Sequence, residues 1–139
     1  MSQITLKGSC LCGDVRYEIT GEPARFYHCH CSRCRKATGT GHASNLFLRP
    51  ATLSWLSGQN LVRAFKVPEA KRFINQFCEI CGGRLPRQPE DTDIVVLPAG
   101  SLDDEAPIKP QARIFNGSRA SWSCSGDEIP TYEEMPPAR

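Results

Sequence analysis

Residues 14–20, DVRYEIT, alternate apolar Val15, Tyr17 and Ile19 with polar neighbours. A period of two is what a strand requires when one face is buried and the other is wet. Six further segments read as strands: SNLFL, TLSWL, LVRAFKV, RFINQF, DIVVL and ARIF. They run four to seven residues and are rich in branched and aromatic side chains, which suit a pleated, half-buried surface. Helical periodicity is nearly absent. A single turn is expected after Cys34, through RKATG, ending at Gly39, where glycine can take a left-handed cap. Residues 99–111, AGSLDDEAPIKPQ, read as a loop in which Leu102, Asp103 and Asp104 start a short turn. The tail EIPTYEEMPPAR is proline-rich and is expected to lie extended on the surface. The pattern is mainly β. With no repeat, low-complexity run or long linker, one domain over residues 1–139 is the economical reading.

Composition sharpens this picture. The 11 glycines and 11 prolines favour short strands joined by tight turns. The start, MSQITLKGSC, has no basic-then-apolar leader, and no run approaches the roughly 18 apolar residues of a membrane helix. A cytoplasmic protein is therefore expected. In that reducing setting eight cysteines are better used for metal or catalysis than for disulfides.

Seven of the eight fall into three clusters: Cys10 and Cys12; Cys29, Cys31 and Cys34; and Cys78 and Cys81. Only Cys124 stands apart. Residues two apart in an extended segment share a face, so Cys10 with Cys12, and Cys29 with Cys31, can each aim two sulfurs at one ion. Cys78 and Cys81 have the spacing of a zinc knuckle. Cys12 and Cys81 are each followed by glycine, whose positive φ lets backbone N–H groups turn towards a sulfur. These two pairs make a Cys₄ set, the closed tetrahedron of a structural zinc with Zn–S distances of about 2.3 Å.

The fragment HCHCSRCRK leaves Cys29, Cys31 and Cys34 as a trio. Three protein ligands with an open fourth position are the mark of a catalytic zinc, one able to take water or an incoming thiol. The competing reading is a second closed site, with His28, His30 or Cys124 as fourth ligand. In an extended segment both histidines face away from Cys29 and Cys31, so orienting the site or satisfying backbone groups suits them better. Arg33, Arg35 and Lys36 are either solvated charges or a grip for an anionic substrate. His42 and Asn45 lie near enough in sequence to line the same pocket. Trp55 and Trp122 read as core or interface aromatics. Seven thiolates and two divalent ions would move the formal charge from +2 to −1, so no nucleic-acid partner is expected.

GSCLCGDVRYEI, HCHCSRCRKATG, FCEICGGRL, AGSLDD and RIFNGSRASW occur here in that order. The chain thereby resembles the glutathione-dependent formaldehyde-activating enzyme family, which includes the centromere protein V domain, from about Thr5 to Pro136. The resemblance implies a β-tent type fold of small stacked antiparallel sheets. It implies two zinc ions, one structural on Cys10, Cys12, Cys78 and Cys81, one catalytic and labile on Cys29, Cys31 and Cys34. It also implies lyase or synthase chemistry at a carbon–sulfur bond, joining glutathione to formaldehyde as S-hydroxymethylglutathione or reversing that step. The rival readings are a non-enzymatic zinc-binding interaction module and a thiol or metal sensor using Cys124.

Overall fold

The computed structural model describes residues 3–123 and 128–138; Cys124 lies outside them. Eight strands run in chain order: β1 (Ile4–Ser9), β2 (Arg16–Cys29), β3 (Ala43–Ser57), β4 (Val62–Lys66), β5 (Ile74–Cys78), β6 (Arg84–Leu85), β7 (Val95–Pro98) and β8 (Ala112–Ile114). One helix, α1 (Ser32–Thr38), follows β2. The larger sheet has the order β1-β2-β3-β7, with β8 added to β2, and the smaller has β4-β5-β6. All pairings are antiparallel except β2 with β8. The mainly β expectation of small antiparallel sheets holds. Among the described residues no helix is long and apolar enough to cross a membrane.

The alternation that opens the sequence does what a half-buried strand should: Val15, Tyr17 and Ile19 are wholly buried. They form the core with Leu46 and Leu48 of β3, Val95 and Leu97 of β7, and Leu85 of β6. Trp55 packs its edge on Tyr17 at the margin of this core, ring centroids 6.5 Å apart.

The strands are longer than the turn-forming residues suggest. β2 and β3 span 14 and 15 residues, and SNLFL and TLSWL are two parts of β3. Gly21–Pro23 and Arg49–Pro50, which flank the segments read as strands, are absorbed as irregularities where the two strands pass each other, with register shifts on either side of Pro23. Proline is tolerated in a sheet at such a bulge because no ladder donor is needed there. Gly21 faces Ala51, and any side chain added to it would collide with the Ala51 side chain and the Pro50 carbonyl.

β1 carries the period-two pattern in its burial, but its third inward position is Gly8, which hides the signal. The Tyr17 phenol lies directly over Gly8, and a Cβ there would strike the phenol and the Ser101 carbonyl. Tyr17 also exchanges a 2.7 Å hydrogen bond with the Ser101 hydroxyl. The loop after β7 is tied to β1 by the two aspartates that the sequence marks as a turn. Asp104 accepts from the Lys7 backbone N–H at 2.7 Å, and Asp103 accepts from the Ser9 hydroxyl at 2.9 and 3.0 Å. Gly8→Ala is expected to cost about 2–3 kcal/mol through overpacking of this junction. Urea denaturation measures it, and an unchanged midpoint would show that the junction is slack.

Candidate metal centres

The β1–β2 connection and the β5–β6 turn bring four sulfurs together. Cys10, Cys12, Cys78 and Cys81 have all their Sγ atoms within 4.8 Å of one another. Cys10 and Cys12 sit 3.6 Å apart, and Cys12 and Cys78 4.0 Å apart. The first pair converges through a tight turn, with Gly13 N–H bonded to the Cys10 carbonyl at 3.1 Å, rather than on one face of a strand. The two glycines act as their positions suggest: Gly13 has φ +83° and Gly82 has φ +73°. Backbone N–H groups of Val15 and Gly83 then donate to the Cys10 and Cys81 sulfurs at 3.3 and 3.4 Å. One half of this set belongs to the large sheet and the other to the small one. The set therefore lies where the two sheets meet.

Cys29 ends β2, Cys31 caps α1 and Cys34 lies in its first turn. The Cys31 sulfur accepts from the Cys34 backbone N–H at 3.3 Å, which satisfies an orphan donor of the helix. The helix starts at Ser32, earlier than the turn expected after Cys34, and ends as expected at Gly39 with φ +73°. The three sulfurs again lie within 4.8 Å of one another. Among the described residues no fourth His, Cys, Asp or Glu ligand atom joins them.

In both places the sulfurs and the backbone N–H groups around them shift the thiol pKa values. The backbone N–H of Asp14 favours ionisation of Cys12, but local desolvation and hydrogen bonding with the Cys10, Cys81 and Cys78 sulfurs overcome it and raise that exposed thiol to about 12. Backbone N–H groups of Cys12 and Gly83 hold Cys81 down to about 6. In the trio, burial pushes Cys29 and Cys34 up. Burial acts on Cys31 too, yet backbone N–H donation from Cys34 and the adjacent thiols brings it below the ordinary cysteine range. Closely packed thiolates repel, so a divalent cation is what lets all of them ionise together. Converging sulfurs with N–H donors aimed at them fit a thiophilic metal in both sets.

The two histidines follow the expected face parity. His28 bonds the Ser44 hydroxyl through Nδ1 at 3.2 Å and stacks on His42, centroids 4.0 Å apart. His30 is 2% exposed, and its ring sits 5.1 Å from that of His42. Its backbone N–H donates to the Ile114 carbonyl, which docks β8 beside β2. Burial lowers the pKa of both imidazoles. His42 thus joins the histidine stack, whereas Asn45, buried, reaches the trio: its Nδ2 is 4.0 Å from the Cys34 sulfur.

A cleft opens on the trio, walled by Arg33, Asn45, Phe47, Phe73, Arg87, Ile114 and Phe115. Phe115 is exposed and holds a left-handed backbone, φ +53°, an uncommon choice for a bulky residue. Lys36 lies beyond this cleft, in a groove against Phe65 and Phe73. Arg35 turns its buried Nε away from any partner among the described residues. Trp122 is 67% exposed, beside Gly41 and away from the core.

Sequence reasoning missed Arg84 and Arg87. Burial depresses both guanidinium groups, Arg87 to about 10 with Arg84 adding repulsion, while the Cys34 sulfur opposes the shift in each. Arg84 donates to the Asn75 side chain at 2.9 Å, and Arg87 lies over the Phe73 ring at 5.6 Å. The available signal was their position in GGRLPRQP, directly after the second knuckle cysteine.

Comparison with known proteins shows the family and a likeness of fold. A family model described as glutathione-dependent formaldehyde-activating enzyme matches residues 5–118. A Halomonas elongata protein named "Putative glutathione-dependent formaldehyde-activating enzyme" is 34% identical over 115 residues, covering 76% of this chain and 71% of that one. The crystal structure of a Rhodobacter sphaeroides protein superposes with a TM-score of 0.52 at 22% identity. It covers 78% of this chain and 99% of its own, a likeness of fold.

Proposed function

The chain belongs to the glutathione-dependent formaldehyde-activating enzyme family, and on that premise we propose that it makes or breaks a carbon–sulfur bond between a thiol and a small aldehyde. Glutathione and formaldehyde are the pair that the family name supports. The observation that carries the reading is the trio: three converging sulfurs at the floor of a cleft, with no fourth ligand from the described chain. Cys29, Cys31 and Cys34 would hold a catalytic zinc, and Cys10, Cys12, Cys78 and Cys81 a structural one. Bound in the cleft, the ion supplies the Lewis acidity that keeps a substrate thiol ionised near neutral pH.

The protein's own groups supply position and polarity. Cys31 fixes the start of α1, so the helix and the trio share one geometry. Asn45 presents an amide N–H towards Cys34 and holds that side of the cleft polar. Phe47, Phe73 and Ile114 keep the rest dry. In the forward direction the substrate sulfur bonds to the carbonyl carbon, and the C=O π pair becomes a hydroxyl that takes up the proton shed by the thiol. Nothing is oxidised or reduced. The setting proposed with it is the cytoplasm, where a reducing environment keeps cysteines available to metal.

The test replaces zinc with cobalt(II) and titrates glutathione while recording the thiolate-to-cobalt absorption. A glutathione-dependent change equivalent to one added thiolate ligand is expected, and is lost in Cys34→Ser. A spectrum indifferent to glutathione would overturn the thiol-binding mechanism.

A further inference from the structure

The cleft over the trio does not end there. Phe47, Arg87 and Ile114 also line a second hollow of about 340 Å³ on the far side of Arg87. Four arginines face this hollow, Arg25, Arg49, Arg72 and Arg87, and no aspartate or glutamate is among its lining residues. Arg49 is matched by Asp93 at 3.1 Å, on the outer rim. The other three have no carboxylate partner among the described residues. Arg25 lies over the Phe47 ring at 5.8 Å, and Arg87 over Phe73. Their guanidinium groups are thereby braced by aromatic faces while their donors stay free. Arg87 sits between the two hollows and is half-buried.

A partly buried cation without a counter-charge is costly. That cost falls on Arg87, and with the exposed Arg25 and Arg72 lining the same hollow it makes three guanidinium groups without a carboxylate partner, a set that fits an anionic ligand. Resting on the thiol reading above, we infer that Arg25, Arg72 and Arg87 bind the anionic end of the substrate thiol. The trio takes its sulfur, and the substrate lies across Phe47 and Ile114 between the two. The substrate class is then a thiol with carboxylate groups remote from the sulfur. The cations beside Cys34 in sequence, Arg33, Arg35 and Lys36, are not the main grip. Arg33 lines the trio's cleft and the groove that holds Lys36 but not the arginine hollow, and Arg35 has its Nε buried.

The test uses cobalt-loaded protein and three probes: glutathione, its diethyl ester and 2-mercaptoethanol. Arg25 and Arg72 are exposed, so the double variant Arg25→Ala/Arg72→Ala is expected to keep the fold. Its glutathione dissociation constant should rise at least tenfold, with 2-mercaptoethanol unaffected. Wild type should bind the diester as weakly as the variant binds glutathione. Equal glutathione affinity in variant and wild type, with the spectral response intact, would overturn the arginine site and leave the thiol mechanism standing. No response to any thiol would overturn both.

Discussion

Cys78→Ser is expected to leave a protein that does not hold its native fold at 25 °C. The Cys78 sulfur is wholly buried at the junction of the two sheets. Its loss leaves three sulfurs where a closed set of four is needed. Structural zinc contributes an apparent ~10–16 kcal/mol in zinc-finger peptides, while a whole domain is stable by only about 5–15 kcal/mol. Even a fraction of the first figure exhausts the second. The large sheet has its own apolar core, so residual strand structure should survive in far-ultraviolet circular dichroism, but the cooperative melt should vanish. Zinc content should fall by at least one equivalent per chain. A Cys78→Ser protein that melts like wild type and retains its metal would show that the sheets are joined by packing alone.

Cys31→Ser should do the opposite: preserve the fold and abolish the chemistry. Cys31 has two duties, as one of the three trio sulfurs and as the N-cap of α1. Serine is a preferred N-cap residue, so the helix start survives the exchange. A hydroxyl is a poor substitute for a thiolate towards zinc. Thermal stability is expected to stay within about 1 kcal/mol, one metal equivalent is retained, and kcat/KM for the thiol adduct falls by about 1,000-fold or more, close to 4 kcal/mol of transition-state stabilisation. Differential scanning calorimetry, metal analysis and initial rates corrected for the uncatalysed reaction read these separately. Loss of both metals together would mean that the two centres are not independent.

What the sequence revealed and what it concealed follow from different physics. Sulfur spacing is local and chemical, so the grouping into four and three could be read directly, as could the Cys–Gly steps that aim N–H groups at sulfur. Face parity placed His28 and His30 opposite Cys29 and Cys31, and the structure seats them in a separate stack with His42. Strand length was less legible. Gly21, Pro23 and Pro50 look like terminators, yet two neighbouring strands absorb them as a shared bulge, a property of the pair rather than of either segment. β1 was concealed because Gly8 takes an inward position that is filled by Tyr17 from the next strand. The arginine hollow is wholly tertiary: its four guanidinium groups come from four separate places in the chain, and no local pattern announces it.

The parallel docking of β8 beside β2 fixes an order of events during synthesis. The four-sulfur set has all its cysteines once residue 81 has left the ribosome, and the trio has its own at residue 34. The wall of the cleft over the trio, however, includes Ile114 and Phe115. The nascent chain therefore acquires its cysteines early and the shelter around the second set only near the end of translation. Until then those three thiols stand open to oxidants and competing metals, so slow elongation or truncation before residue 114 should yield protein damaged at the trio and sound at the four-sulfur set.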